Sequence, residues 1–226
     1  MKFVTISDTH GYHSQLILPP ADAIIHAGDI TKSGTKEEVL DFISWFGALD
    51  YQYKIFIPGN HDYYLEKCSP EELKSLLPKN TYLLNDSGIT INNIKIWGSP
   101  VQPCYHNMAF NRERGEEIKR HWDLIPEDTD ILITHGPPFG ILDENCETEN
   151  VGCKDILKKV LNFKPKYYVF GHIHEAYGMT CKDGVCFINA CVLDRNYKII
   201  NFPTVIKYLP LESPSDKYYS YLNNSH

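Results

Sequence analysis

The sequence predicts an α/β fold, and three observations carry that expectation. Short runs rich in β-branched and aromatic residues alternate with segments of helical period. Those runs are nearly continuously apolar, as strands buried on both faces are. The chain has 226 residues and an apolar fraction of 42%, enough for a sizeable core and too apolar for disorder.

The predicted core strands are KFVTIS (2–7), DAIIHA (22–27), YKIFIP (53–58), DILIT (130–134) and KYYVF (166–170). The first predicted helix, 35–49, repeats apolar residues at Val39, Leu40, Ile43 and Phe46, and Thr35 with Glu38 forms a capping box. A second, 69–77, opens with a Ser cap and a proline at its first position. A third covers 151–163. Segment 81–98 reads as short strands joined by turns, and 179–209 as a later antiparallel sheet. No repeat or long linker divides the chain.

A formal net charge of −7 argues against a generally basic nucleic-acid surface, and no extended one is expected. It leaves room for an anionic substrate, because bound metal ions reverse the local field. The N-terminal stretch lacks the long apolar region of a signal peptide, and no run of 18 apolar residues occurs. A cytoplasmic protein that makes no membrane contact is expected. The seven cysteines lack paired CxxC spacing. In CKDGVC (181–186) the Asp-Gly pair signals a tight hairpin that sets Cys181 opposite Cys186. Two free thiols are the expectation for a reducing compartment.

Chemistry enters at the strand ends. The five strands run into Asp8-Thr9-His10, Gly28-Asp29, Gly59-Asn60-His61-Asp62, His135-Gly136 and Gly171-His172-Ile173-His174. Each turn alone has a structural explanation: a cap, a common turn, a buried histidine. Their recurrence after five strands does not. In an open α/β sheet, ligands gather beyond the carboxyl ends of parallel strands. In an extended segment, residues i and i+2 share a side, which would let Asp8 and His10 reach one ion, and His172 and His174 face the same cluster. Carboxylate, amide and imidazole together suit Mn, Fe or Zn better than Ca.

The set DxH, GD, GNHD, HG and GHxH resembles the signature of the calcineurin-like metallophosphoesterases. It is closest to the branch of metallophosphoesterase-domain proteins similar to class III cyclic nucleotide phosphodiesterases. YKIFIPGNHD, ILITHGPPFG, VGC, FGHIHEAYG and INA extend the likeness over nearly the whole chain. The resemblance implies a four-layer α/β/β/α sandwich, two mixed sheets flanked by helices. It places a single such domain over 1–210, with a C-terminal tail at 211–226.

By position, Asp8, His10 and His174 resemble the ligands of a first metal, and Asp29 the bridging carboxylate. Asn60, His135 and His172 resemble the ligands of a second. His61 resembles the non-ligand catalytic histidine that contacts the substrate phosphate, beside Asn60, and protonates the leaving oxygen. Some close relatives have glycine where His172 stands; this chain keeps the histidine, so a full two-metal centre is expected. The implied cofactors are two divalent ions, manganese first, with iron, zinc, magnesium and cobalt as alternatives. The implied reaction is hydrolysis of a small phosphodiester or nucleotide, such as a cyclic nucleotide, by attack of hydroxide held between the ions. The competing readings are a phosphomonoesterase or protein phosphatase, disfavoured by the lack of a GDxVDRG-like motif, and a non-catalytic metal-binding scaffold.

Asp62 has no assigned role. His13, His26, His106, His121 and His226 match no motif position and read as structural or solvated. Segment 100–115, rich in turn residues and aromatics, is either a substrate wall, with Tyr105 or Phe110 stacking on a base, or ordinary loop packing. Arg112 and Arg114 are weaker candidates for phosphate contacts.

Overall fold

The computed structural model describes residues 1–209, so the tail expected at 211–226 lies outside the described residues. Its strands are Lys2–Ile6 (β1), Ala23–Ala27 (β2), Tyr53–Ile57 (β3), Thr81–Leu83 (β4), Ser87–Ile91 (β5), Ile94–Ser99 (β6), Gln102–Pro103 (β7), Asn111–Arg112 (β8), Ile131–Thr134 (β9), Tyr167–Phe170 (β10), Gly178–Lys182 (β11), Val185–Asn189 (β12) and Thr204–Lys207 (β13). Its α-helices are Lys36–Ala48 (α1), Tyr63–Lys67 (α2), Pro70–Leu76 (α3), Glu116–Asp123 (α4) and Lys154–Phe163 (α5).

Two mixed sheets form. One has the order β13-β1-β2-β3-β4, the other β11-β12-β10-β9-β6-β5. The neighbours β1, β2, β3 and β4 pair in parallel, as do β6, β9, β10 and β12. Alternation of side chains across each strand creates three cores. Phe3, Ile25 and Ile55 of the first sheet meet Ile96, Ile131 and Val169 of the second between the sheets. Val4, Ile24 and Phe56 turn outward onto Val39, Phe42 and Phe46 of α1. Leu132, Tyr168 and Phe187 turn outward onto Ile118, Trp122, Ile156 and Val160 of α4 and α5. The expected α/β/β/α layering is present.

The capping box forms as predicted: the Glu38 N–H donates to Thr35 Oγ1 at 3.2 Å and Thr35 N–H to Glu38 at 3.1 Å. Local expectation and structure differ in four places. Helix α5 starts at Lys154, not 151, because the Cys153 N–H donates to the Pro137 carbonyl at 2.9 Å and draws 151–153 into an extended bridge. Helix α4 carries few apolar residues; Ile118 and Trp122, one turn apart, supply its buried face. The stretch 179–209 makes no sheet of its own. Its hairpin β11–β12 extends the second sheet, and β13 closes the edge of the first against β1.

The fourth difference is the cysteine pair. The Asp183-Gly184 turn sets Cys181 opposite Cys186, as the hairpin signal predicted, and the two are joined by a disulfide where free thiols were expected. Register makes this possible: the hairpin pairs the two residues directly and brings their Cα atoms to 4.0 Å. The remaining five cysteines are free. Thiol titration of denatured, unreduced protein should find five of the seven; seven would show that the hairpin forms without the bond.

Candidate metal centre

The parallel strands deliver their C-terminal turns to one edge of the sandwich. Asp8 and His10 follow β1, Asp29 follows β2, Asn60 and His61 follow β3, His135 follows β9, and His172 and His174 follow β10. Asp8, His10, Asp29, Asn60 and His135 are buried, while His61, His172 and His174 are half-buried at the rim.

The turns are not extended. Asp8, His10, Asp29 and His172 have φ of 56°, 43°, 56° and 71°, all left-handed. Asp8 and His10 therefore converge through a tight turn rather than through the two-residue repeat of a strand, which corrects the spacing argument. Hydrogen bonds hold the turn in place: Asp8 N–H donates to the Gly28 carbonyl at 2.9 Å and His10 N–H to the Asp29 carbonyl at 3.0 Å. Backbone in this region is costly for non-glycine residues and persists where its surroundings over-determine it.

Ligand-type atoms crowd in three overlapping sets, each within 4.8 Å: Asp8, His10 and His174; His10, Asp29 and His61; and Asp8, Asp29 and His135. Asp29 belongs to two of them, with Oδ2 at 3.5 Å from His10 Nε2 and Oδ1 at 3.4 Å from His135 Nε2. The Asn60 amide oxygen faces His135 Nε2 and His172 Nδ1, each at 2.8 Å.

Three ring nitrogens are turned outward by the chain. His10, His135 and His174 donate from Nδ1 to the carbonyls of Thr31 (3.1 Å), Ala27 (2.9 Å) and Asp194 (3.0 Å). That fixes the tautomer and points an Nε2 lone pair into the site, the usual support of a metal-bound imidazole. His10 Nε2 supplies the fit test. It is buried, has no hydrogen-bond partner and faces the carboxylates of Asp29 and Asp8. Burial lowers the His10 pKa despite both carboxylates. A neutral lone pair opposite two carboxylates has only a cation to satisfy it, so the donor set fits divalent metal ions.

The charges are strongly perturbed. Burial works to raise Asp8 and Asp29, but the facing imidazoles hold both well below the usual carboxylate range. Burial likewise opposes charge on His135 and His174, yet Asp29 and Asp8 push them up to about 9. Burial with the neighbouring His135 takes His172 down to about 4. The carboxylates thus favour charge on His135 and His174 alone, while burial keeps it off His10 and His172.

His61 sits at the edge of this cluster, its ring 4.6 Å from that of His10. Its N–H donates to Asp29 Oδ1 at 2.8 Å, and its Nδ1 donates to the Lys32 carbonyl at 2.8 Å, which leaves Nε2 available. Asp62 is no partner of this ring. It accepts from the N–H groups of Gly59 (2.7 Å), Thr31 (2.9 Å) and Ile30 (3.2 Å), tying the turn after β2 to the turn after β3.

Several supporting residues gave no motif signal. Buried Cys191 donates its thiol to Asp8 Oδ2 at 2.9 Å, and Ser7 also hydrogen-bonds that oxygen. Buried His26, taken down to about 3 chiefly by burial, accepts the Gly28 N–H at Nδ1 and donates from Nε2 to Thr9 Oγ1 at 2.9 Å. Tyr197 stands 5.0 Å from the His10 ring and 5.9 Å from that of His174. Phe110 is buried in the α1-side core and is no substrate wall, whereas Tyr105 is 57% exposed and lies 6.3 Å from the His172 ring. Arg112 is spent on His121 and the Asn111 carbonyl.

Comparison with known proteins agrees with this geometry. Residues 1–176 match the family of calcineurin-like phosphoesterases. Metallophosphoesterase domain-containing protein 1 of Homo sapiens is 40% identical over 228 aligned residues, covering 91% of this chain and 70% of the relative, and the Mus musculus protein gives the same values. The crystal structure of TT1561 of Thermus thermophilus shares the fold with a TM-score of 0.55 at 14% identity, over 83% of this chain and 88% of that one. Among the described residues, no helix is long and apolar enough to cross a membrane.

Proposed function

The chain belongs to the calcineurin-like phosphoesterase family, a family of dimetal-dependent phosphoester hydrolases, and from that premise we propose that it hydrolyses small phosphodiesters, cyclic nucleotides among them. We assign the catalytic unit to residues 1–210 as a single domain, acting in the cytoplasm. One observation supports the reading: seven ligand-type side chains, Asp29 among them, stand at five strand ends on one edge, with the partnerless His10 Nε2 in their midst.

Asp8, His10, His174 and Asp29 would hold one divalent ion, and Asp29, Asn60, His135 and His172 a second, with manganese favoured. When bound, such a pair supplies Lewis-acid activation of water and neutralises charge on the phosphoryl group. The residues do the rest. Asn60 and His61 lie together where the phosphoryl group would sit. Hydrolysis joins a water oxygen to phosphorus, breaks the ester P–O bond, and needs a proton for the departing oxygen. The attacking water gives up one proton, and His61, in the doubly protonated form with Nδ1–H held by the Lys32 carbonyl, would give its Nε2 proton to the departing oxygen. A diester carries one less negative charge than a monoester, and the cleft beside His172 is walled by Glu147, Glu149 and Glu175. That wall favours the diester.

The test strips the protein with chelator, restores Mn²⁺, and compares bis-p-nitrophenyl phosphate with p-nitrophenyl phosphate. The diester should be preferred. His61→Ala should keep its metal and lose about 10²–10⁴-fold in turnover of a cyclic nucleotide, whose alkoxide leaving group, unlike p-nitrophenolate, needs the proton. A monoester preference would transfer the assignment to a phosphomonoesterase. Full turnover in the variant would remove His61 from proton transfer.

A further inference from the structure

A cavity of about 580 Å³ opens beside His172, within the size range of small-molecule sites. Tyr105 lines one side of it. Glu147, Glu149 and Glu175 line it as well, against a single cation, Arg114. That guanidinium is already committed, donating to the carbonyls of Gly152 and Val151 at 2.8 Å each. Two of the glutamates, Glu147 and Glu149, come from an ordered loop. Asn145 Oδ1 accepts the N–H groups of both at 2.9 Å, and buried Asp143 anchors the loop through Gly152 N–H and Asn150.

We propose that this cavity receives the alcohol arm of the diester and selects an arm that is cationic, such as a quaternary or primary ammonium alcohol, over one bearing a further negative charge. The inference rests on the phosphodiesterase reading and goes beyond it. The metal-ligand cluster takes the phosphoryl group, whatever its arms. An arm lying past His172 enters a field set by three carboxylates, beside an exposed phenol ring whose face attracts ammonium groups. An anionic arm meets three carboxylates against one guanidinium, whose Nη1 and Nη2 are turned to the Gly152 and Val151 carbonyls.

Three p-nitrophenyl phosphodiesters share one leaving group and differ in the arm: choline, its neutral isostere 3,3-dimethylbutanol, and 4-hydroxybutyrate. With Mn²⁺-loaded protein, kcat/KM should fall in that order. The choline ester should lead its neutral isostere by about tenfold at low salt, with the ratio approaching one near 1 M salt. The variant carrying Glu147→Gln, Glu149→Gln and Glu175→Gln should lose the ratio, with its metal content per chain unchanged. Equal rates for the choline and neutral esters, or an unchanged ratio in the variant, overturns the inference while leaving the phosphodiesterase reading intact. Calorimetric binding of phosphocholine against 3,3-dimethylbutyl phosphate reads the same preference without turnover. If the protein turns over no diester, a binding preference for phosphocholine still supports the cavity's role, and equal affinities overturn it.

Discussion

Replacing Asp29 by Asn should abolish catalysis, with kcat lowered by about 10³-fold or more, and should leave the protein folded but metal-poor. The two residues match in shape, so the loss isolates charge. Asp29 contacts both halves of the cluster at once, through Oδ2 toward His10 and Oδ1 toward His135, and it also accepts the His61 N–H. An amide in its place removes one of the two carboxylates that would offset two divalent ions, and can present only one oxygen to both. The measurement is metal content per chain after Mn²⁺ loading, alongside turnover of bis-p-nitrophenyl phosphate. Two ions retained with near-native turnover would remove Asp29 from the bridging position.

The second large effect is expected at a residue with no chemistry of its own. Gly171 follows β10 just before His172, and a Cβ there would overlap Ser7 Oγ and Asp8 Oδ2. Neither can retreat: Ser7 and Asp8 are fully buried, and Asp8 Oδ2 also receives the Cys191 thiol and the His172 N–H at 3.0 Å. Gly171→Ala should therefore destabilise by about 1–3 kcal/mol, the range for overpacked sites. At roughly 2–4 °C per kcal/mol for a chain of this size, the melting temperature should drop by about 2–12 °C. Because the overlap falls on a proposed ligand, metal content should fall too. An unchanged melting temperature with full metal would mean that the β1 and β10 turns have room the structure does not show. Gly59 has a similar place, its missing side chain leaving space for the Asp29 carboxylate and N–H.

The sequence exposes those parts of the site that the chain carries in consecutive residues. Asp8 with His10, Gly28 with Asp29, Asn60 with His61, and His172 with His174 each follow an apolar strand, and parallel pairing brings the strand ends together. The alternation of strands and helices likewise predicts layers, because a sheet buried on both faces needs covers on both. What stays hidden depends on approach across the chain. Cys191 reaches Asp8 across 183 positions, and no local pattern distinguishes it from a core cysteine. Tyr197 and His26 are equally silent. The left-handed turns at Asp8, His10 and His172 are imposed by hydrogen bonds from neighbouring turns, so the extended geometry assumed for them fails while their convergence survives. At Cys181 and Cys186 the turn chemistry gives the register, but the oxidation state expected from compartment is not the one the structure shows.

The pairing of β1 with β13 has a consequence for the order of assembly. Lys2 lies opposite Lys207, and Ser7 bridges Cys191, so a strand made early is completed by one made much later. While the chain is still emerging from the ribosome, β1 can join β2 and β3 but keeps an open edge, and Asp8 lacks its thiol partner. Contacts this distant along the chain carry a large closure cost and form late. A nascent chain ending before Cys191 contains every proposed ligand, the last being His174, but lacks the Cys191 thiol on Asp8 and the Asp194 carbonyl on His174 Nδ1. The final ordering of those two side chains in this way waits for the later segment.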